Sequence, residues 1–346
     1  MRKIAILDDY IGVALEYGDW SALPDDAEIT VYREAIPPER LVEELAEYEV
    51  VVITQQRARF PRSVLEGLPK LKLLVCNGPT SNVIDHQARI ERGILLCGTA
   101  GTASGSAAPA RAAAAQYGAQ PGLPAPSEMA WGLIFAVAKR IGIEDREIRA
   151  GGWQTGFPIP LGGKRLGLLG AGRLGGAMVP VAKALGMDVV AWSPNLTDER
   201  CAELGVTRVT KDELLASADV LGVFLVFSER SRNTLRADDL AKMKPGSILV
   251  NISRGPLVEE TALIEALRSG HLAGAGLDVY DREPLPADHP FRSLENVVVT
   301  PHVGYVTEDL FRSAWQRMAE NVAAYLAGSP IRVVTDPATL PQMAPQ

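Results

Sequence analysis

The stretch Lys164-Arg-Leu-Gly-Leu-Leu-Gly170-Ala-Gly172-Arg-Leu-Gly175 decides how the chain is read. A short apolar run leads into glycines spaced G-x-G-x-x-G and then into an alanine-rich, helix-like pattern. Each glycine has a physical reason. Gly170 permits a tight turn, Gly172 lets the backbone approach a pyrophosphate, and Gly175 lets the helix lie close to the strand while its first N–H groups face the anion. Such a turn taken alone can equally be a packing device, so the reading depends on its surroundings. Here a strand precedes it, a helix follows it and further strand and helix pairs come after, which points to a dinucleotide site.

Downstream, apolar runs at 188–192, 220–226, 247–252, 275–279 and 297–300 alternate with helical patterns at 212–216, 238–243 and 259–268. Upstream, runs at 3–7, 29–32, 50–54, 71–76 and 94–97 alternate with segments such as 39–48. This rhythm predicts an α/β chain with two doubly wound parallel sheets, which bind ligands outside the carboxyl ends of their strands. Residues 98–126, rich in Ala, Gly, Ser and Pro, read as a linker or surface insertion with one short helix at 109–116. The next stretch, 127–139, is apolar nearly all round, as a buried helix crossing between domains would be. Thr307 offers an N-cap, and Leu310, Phe311, Ala314, Trp315, Met318, Val322 and Tyr325 then share one face of an amphipathic helix up to Gly328. Pro180 is expected to kink the helix after the glycines.

A length of 346 residues suits two domains. With 47% hydrophobic and 22% charged residues and no run of membrane-spanning length, a soluble globular chain without membrane contact is expected. The net charge of −7 argues against nucleic acid as the main partner. Asp8 and Asp9 interrupt the basic start before a signal core can form, so a cytoplasmic location is expected. Cys76, Cys97 and Cys201 are odd in number and lack ligand spacing; they read as reduced thiols, and no metal site is expected.

Three polar residues follow apolar runs: Arg254 in Val-Asn-Ile-Ser-Arg-Gly-Pro, Glu283 in Leu-Asp-Val-Tyr-Asp-Arg-Glu-Pro, and His302 in Val-Val-Val-Thr-Pro-His-Val-Gly. Arg254 is either a surface charge or the holder of a planar carboxylate through two hydrogen bonds, such as a 2-keto acid carries. His302 is either a satisfied loop histidine or a proton donor beside a nicotinamide. Glu283 stands nineteen residues earlier, so any contact between the two must come from the fold. Such a carboxylate would orient the imidazole and favour its protonated form.

With LGLLGAGRLG, VNISRGPLVEETALIEALRSG, GAGLDVYDREPLP and NVVVTPHVGY in this order, the chain resembles the D-isomer-specific 2-hydroxyacid dehydrogenases over residues 45–330. The resemblance implies a Rossmann nucleotide domain at 125–302, a flavodoxin-like substrate-binding domain at 1–124 completed by the returning segment 303–346, and a cleft between them. It also implies a homodimer formed through the nucleotide domain. By the same carry-over, Arg254, Glu283 and His302 form the catalytic trio. Gly170, Gly172, Arg173, Leu174, Gly175, Ser193, Asn195, Val226, Ser228, Ile252, Ser253, Arg254, Asp278, His302 and Gly304 would line the cofactor, with Asp278 facing the nicotinamide amide. Asn77, Gly78 and Thr80 would join Arg254 and His302 on the substrate.

The chain departs from that family in three places. Where many relatives place an aspartate on the adenosine ribose, it reads Ala191-Trp-Ser193-Pro-Asn195. NAD is favoured, but NADP stays open, since no acid repels a 2′-phosphate and Arg200 is near in sequence. In the loop 77–82, which would hold the substrate carboxylate through backbone N–H groups, Pro79 has none to give, leaving Gly78, Thr80 or the Asn77 side chain. The segment 98–126 is roughly twenty residues longer than in relatives, an insertion that costs little loop entropy. The expected activity is reversible hydride transfer between a nicotinamide cofactor and a small 2-keto acid, glyoxylate- or hydroxypyruvate-like or larger. The alternative is a dinucleotide-sensing regulator without turnover, like the corepressor members of the superfamily. Formate-oxidising relatives commonly carry glutamine where this chain has Glu283.

Overall fold

Aliphatic, β-branched runs form the strands of two parallel sheets, one in each of the two units into which the chain divides. The structure is a computed structural model that describes residues 1–54, 57–99 and 123–334. In the first unit, Met1–Gln120 with Thr307–Gln346, the strands are β1 (Arg2–Leu7), β2 (Ala27–Val31), β3 (Val50–Ile53), β4 (Leu73–Cys76) and β5 (Leu95–Gly98), ordered β2-β1-β3-β4-β5. The central β3 is Val-Val-Val-Ile and buried along its whole length, as a strand covered on both faces must be. The helix Glu308–Leu326 returns to this unit and buries Phe311, Trp315, Met318 and Val322. Thr307 stands at its N-cap position, but the hydroxyl caps nothing.

The second unit, Pro121–Val306, carries β6 (Arg165–Leu169), β7 (Asp188–Trp192), β8 (Thr207–Arg208), β9 (Val220–Val223), β10 (Ser247–Asn251), β11 (Leu272–Leu277) and β12 (Val297–Val299). Their order is β12-β11-β10-β9-β6-β7-β8, so the chain runs outward from β6 to β8 and then returns through β9 on the other side of β6. Leu169, the last residue of β6, lies beside Trp192 of β7 and Val223 of β9. A reversal of this kind opens a crevice at the carboxyl end of β6, where the glycine-rich turn begins.

Several expectations are corrected at their ends. β9 stops at Val223 and β11 at Leu277, which leaves Val226 and Asp278–Tyr280 in loops where side chains can be aimed. The pattern at 39–48 becomes a 3-10 turn, Pro38–Arg40, followed by the short helix Leu41–Leu45. The buried helix begins earlier than expected, as Ala125–Ala138, because Pro124 and Pro126 suit an N-cap and first turn that need no N–H. A further helix, Ile141–Arg149, is set off by Arg140 in a left-handed conformation at φ 57 and buries none of its residues, and the exposed edge strand β8 adds two polar residues. Pro180 does not interrupt the helix Arg173–Ala184. It stands on the exposed side of the helix. Residues 100–122, with the helix expected at 109–116, lie outside the described residues.

Cys76, Cys97 and Cys201 are free and buried. Burial pushes the Cys76 thiol up to about 12 and the Cys97 thiol to about 11, so both pack as small hydrophobes rather than as nucleophiles. Among the described residues no helix is long and apolar enough to cross a membrane.

Candidate active site

The glycine turn is built by steric demand. Gly170 has φ +105, and a Cβ on it would meet the Phe224 backbone at 2.8 Å. A Cβ on Gly175 would fall 2.0 Å from the Gly170 carbonyl oxygen, so only glycine lets the helix Arg173–Ala184 start this close to β6. At Gly172, the N-cap of that helix, nothing among the described residues stands within 4 Å of where a Cβ would be, and no side chain among them caps the helix. A helix N-terminus beside an uncrowded glycine is a setting that suits the pyrophosphate of NAD.

The wall of this turn comes from the neighbouring strand ends. Gly170 N–H donates to the Trp192 carbonyl at 2.8 Å, which brings the end of β7 beside the turn, with Ser193 half-buried and Asn195 exposed. Arg200 stands at the same end. Its Nε donates to the Ala171 carbonyl at 3.4 Å and its Nη1 pairs with Glu203 at 2.9 Å. Val226 is exposed beyond β9, and Ser228 N–H donates to Ser231 Oγ at 2.7 Å. Ile252 is buried among core residues, so only its backbone is offered outward, while Ser253 N–H donates to Asn251 Oδ1 at 3.0 Å.

The nineteen residues between Glu283 and His302 are closed by the fold. His302 Nδ1 and Glu283 Oε2 are 2.6 Å apart, with the side chains 14% and 17% exposed. Glu283 Oε1 accepts Tyr280 N–H at 3.1 Å, which fixes the carboxylate. His302 adopts φ 56, and its N–H donates to the Thr300 carbonyl at 3.0 Å in a tight turn across Pro301. Asp278, 1% exposed, holds that turn. Its Oδ1 accepts Thr300 Oγ1 at 2.6 Å and Val303 N–H at 2.9 Å, and its Oδ2 accepts Gly304 N–H at 2.8 Å. Both oxygens accept donors of the His302 loop, so Asp278 braces the turn that carries His302. With Nδ1 turned to a carboxylate, Nε2 is the nitrogen left to exchange a proton with a ligand.

Arg254 is exposed, and its Nη1 donates to the Ser253 carbonyl at 2.7 Å. Among the described residues no carboxylate pairs with its guanidinium. Asn251 shapes the backbone here, donating from Nδ2 to the Arg254 carbonyl at 2.9 Å. Asn251 and Thr300 did not stand out in the sequence. The available signal was an Asn or Thr at the end of an apolar run, where such side chains bond the turn that follows.

In the first unit, the loop after β4 is tied to the end of β5. Gly78, at φ 127, donates its N–H to Thr99 Oγ1 at 2.8 Å, so this N–H is already engaged. Thr99 Oγ1 in turn donates to Asn77 Oδ1 at 3.2 Å. The buried Thr80 hydroxyl has no partner among the described residues.

Residues 131–304 match the family model for the D-isomer specific 2-hydroxyacid dehydrogenase NAD binding domain. The chain is 30% identical over 350 residues to a hydroxypyruvate reductase of Blautia hydrogenotrophica, covering 96% of this chain and 99% of that one. It is 33% identical over 296 residues to a D-3-phosphoglycerate dehydrogenase of Archaeoglobus fulgidus, covering 85% of this chain but spanning only 52% of that protein. The crystal structure of a phosphoglycerate oxidoreductase from Vibrio cholerae O395 superposes with a TM-score of 0.82 at 30% identity, covering 95% of this chain and 100% of that one.

Proposed function

Because the chain belongs to the D-isomer specific 2-hydroxyacid dehydrogenase family, an NAD-dependent oxidoreductase family, we propose that it reversibly reduces a small 2-keto acid to the D-2-hydroxy acid through Arg254, Glu283 and His302. The observation that carries this reading is the 2.6 Å contact between His302 Nδ1 and Glu283 Oε2. The hydride is the cofactor's contribution when bound. The chain does the rest. Arg254 takes the substrate carboxylate with two parallel hydrogen bonds and polarises the adjacent ketone. His302 gives a proton from Nε2 to the oxygen as negative charge develops there, and Glu283 steadies the imidazolium in the proton-loaded state. Asp278 keeps the His302 loop in place, and the first turn of Arg173–Ala184 holds the pyrophosphate.

Hydroxypyruvate and glyoxylate are the substrates proposed first, since both are short and carry the carboxylate next to the carbonyl. Asn77, Gly78 and Thr80 are the residues of the loop after β4 proposed to meet the substrate. The chain spans about half the length of the phosphoglycerate dehydrogenase it matches, so that protein's substrate is not carried over. A homodimer through the second unit is supported by the exposed Trp153 and Phe157. A cytoplasmic setting is supported by the three free thiols.

Initial rates over a panel of 2-keto acids, with NADH and NADPH side by side, test the activity. Oxidation of NADH by at least one short keto acid is expected. Dinucleotide binding without turnover of any acid would overturn it in favour of a sensor.

A further inference from the structure

Arg254 and Glu283 sit on different loops, and the turn Tyr280–Asp281 meets Glu283 on one side and Gly255, the residue after Arg254, on the other. The Tyr280–Asp281 peptide packs flat on Gly255, the residue after Arg254. A Cβ on Gly255 would fall 2.1 Å from the Tyr280 carbonyl carbon and 2.4 Å from the Asp281 nitrogen. Glu283 holds the start of the Tyr280–Asp281 turn, through Tyr280 N–H of the preceding peptide, as described above. Its other end is held from the Arg254 side: Asp281 N–H donates to Glu260 Oε2 at 3.4 Å, and Glu260 opens the helix Glu260–Arg268 that follows the Arg254 loop.

Glu260 is fixed in turn. Its Oε1 lies 2.9 Å from His289 Nε2. The tautomer follows from the other ring nitrogen: Phe291 N–H donates to His289 Nδ1 at 3.2 Å, so Nδ1 carries the lone pair and Nε2 the proton that Glu260 accepts. The His289 ring packs on Phe291 with centroids 4.8 Å apart, which locks its orientation. We propose that Glu260 and His289 are positioning residues, a second carboxylate–histidine pair that pins the Tyr280–Asp281 peptide and so holds Arg254 and Glu283 in register for keto-acid reduction. The kinetic part of the inference rests on the activity proposed above. A purely structural pair would stabilise the fold without tuning the site.

The test compares the full-length wild type with His289→Ala, His289→Gln and Glu260→Gln. His289→Ala is expected to lower kcat about ten- to a hundredfold, the usual penalty for a small displacement of aligned groups, and to leave NADH affinity within about twofold. His289→Gln, which keeps an N–H at the same reach, should recover most of the loss. Glu260→Gln, which loses one acceptor at equal volume, should show a smaller loss in the same direction. The second readout needs no turnover. The 15N resonances of the His302 imidazole, which report its bond to Glu283, should move in His289→Ala without ligand and return in His289→Gln. Unchanged kcat and unmoved His302 resonances, with losses confined to Tm, would overturn the proposal. If the wild type reduces no keto acid, the activity reading fails while the His302 resonances still decide the positioning role. Should His289→Ala not fold, Glu260→Gln decides both readouts.

Discussion

His302 is held in a backbone conformation that side chains rarely adopt, and the chain spends a buried aspartate and a carboxylate to keep it there. Removing the imidazole is therefore expected to cost chemistry rather than cofactor binding. His302→Ala should lower kcat by about two to four orders of magnitude while NADH titration by fluorescence is unchanged. Equal turnover would remove His302 from the mechanism. The sequence singled out His302, Glu283 and Arg254 from their place after apolar runs, but it could not show that His302 meets Glu283, because the closure runs through Asp278, Thr300 and Tyr280. Nor could it show that Asp278 binds its own loop, since a carboxylate reads the same whether its donors are on the chain or on a ligand. Asp281 supports a different experiment. Burial first, and then the Glu260 carboxylate, push it up from 3.8 to about 6. An acid raised in the native state favours folding fully only below its unfolded value, and that contribution is lost as pH rises through about 6. Asp281→Asn should thus raise Tm at pH 7.5 and not at pH 4. Asp281 reaches solvent, so screening holds the gain to about 1 kcal/mol or less, roughly 2–4 °C. An equal shift at both values would assign the effect to something other than this charge.

At the scale of elements, the glycine turn was legible because each glycine answers a local steric demand that the sequence alone can state. The strand β8 and the helix Ile141–Arg149 were not, since one is two polar residues on an edge and the other keeps its apolar side chains outside. Pro180 shows the same limit in reverse: a local rule predicts a disturbance, and the helix Arg173–Ala184 continues through it. The β7 end is where an element decides a preference. On the proposed cofactor placement, Ser193 offers a neutral hydroxyl where an acid would reject a 2′-phosphate, and the nearby Arg200 has its Nε on the Ala171 carbonyl. Discrimination between NADH and NADPH should therefore be weak in the wild type. Ser193→Asp should restore repulsion and offer two acceptors to the ribose, shifting the kcat/KM ratio toward NADH by about one to two orders of magnitude. A wild type that already excludes NADPH by more than about a thousandfold, or an unchanged ratio in the variant, would mean that residue 193 does not face the ribose.

Across the whole molecule, the alternation of apolar runs foretold two parallel sheets, while their strand orders depend on which helix covers which face and could not be read residue by residue. The surface of the second unit carries a feature that composition hides: Phe157 is 98% exposed, Trp153 76%, Ile141 53% and Ile148 50%. These side chains do not sit on a loose tail. Thr155 bonds Glu144 through both N–H and Oγ1, at 3.2 and 2.7 Å, and Ile159 N–H donates to the Ala138 carbonyl at 2.7 Å, so the loop is strapped to the neighbouring helices. An ordered apolar set left in water forfeits about 25 cal/mol for each Å² it could bury, and a second copy presenting the same face across a two-fold axis supplies self-complementary cover. A lasting dimer needs about 1,200–2,000 Å² of total burial, which two bulky aromatics and their neighbours from each copy can anchor. The expected result is a wild-type dimer by light scattering at micromolar concentration, and a monomer for the double variant Trp153→Ser, Phe157→Asp. NADH affinity should survive in that monomer, because the glycine turn is built wholly from Gly170–Gly175 and the strand ends beside it. A monomeric wild type, or a double variant that stays dimeric, would show that this face is not where two copies meet.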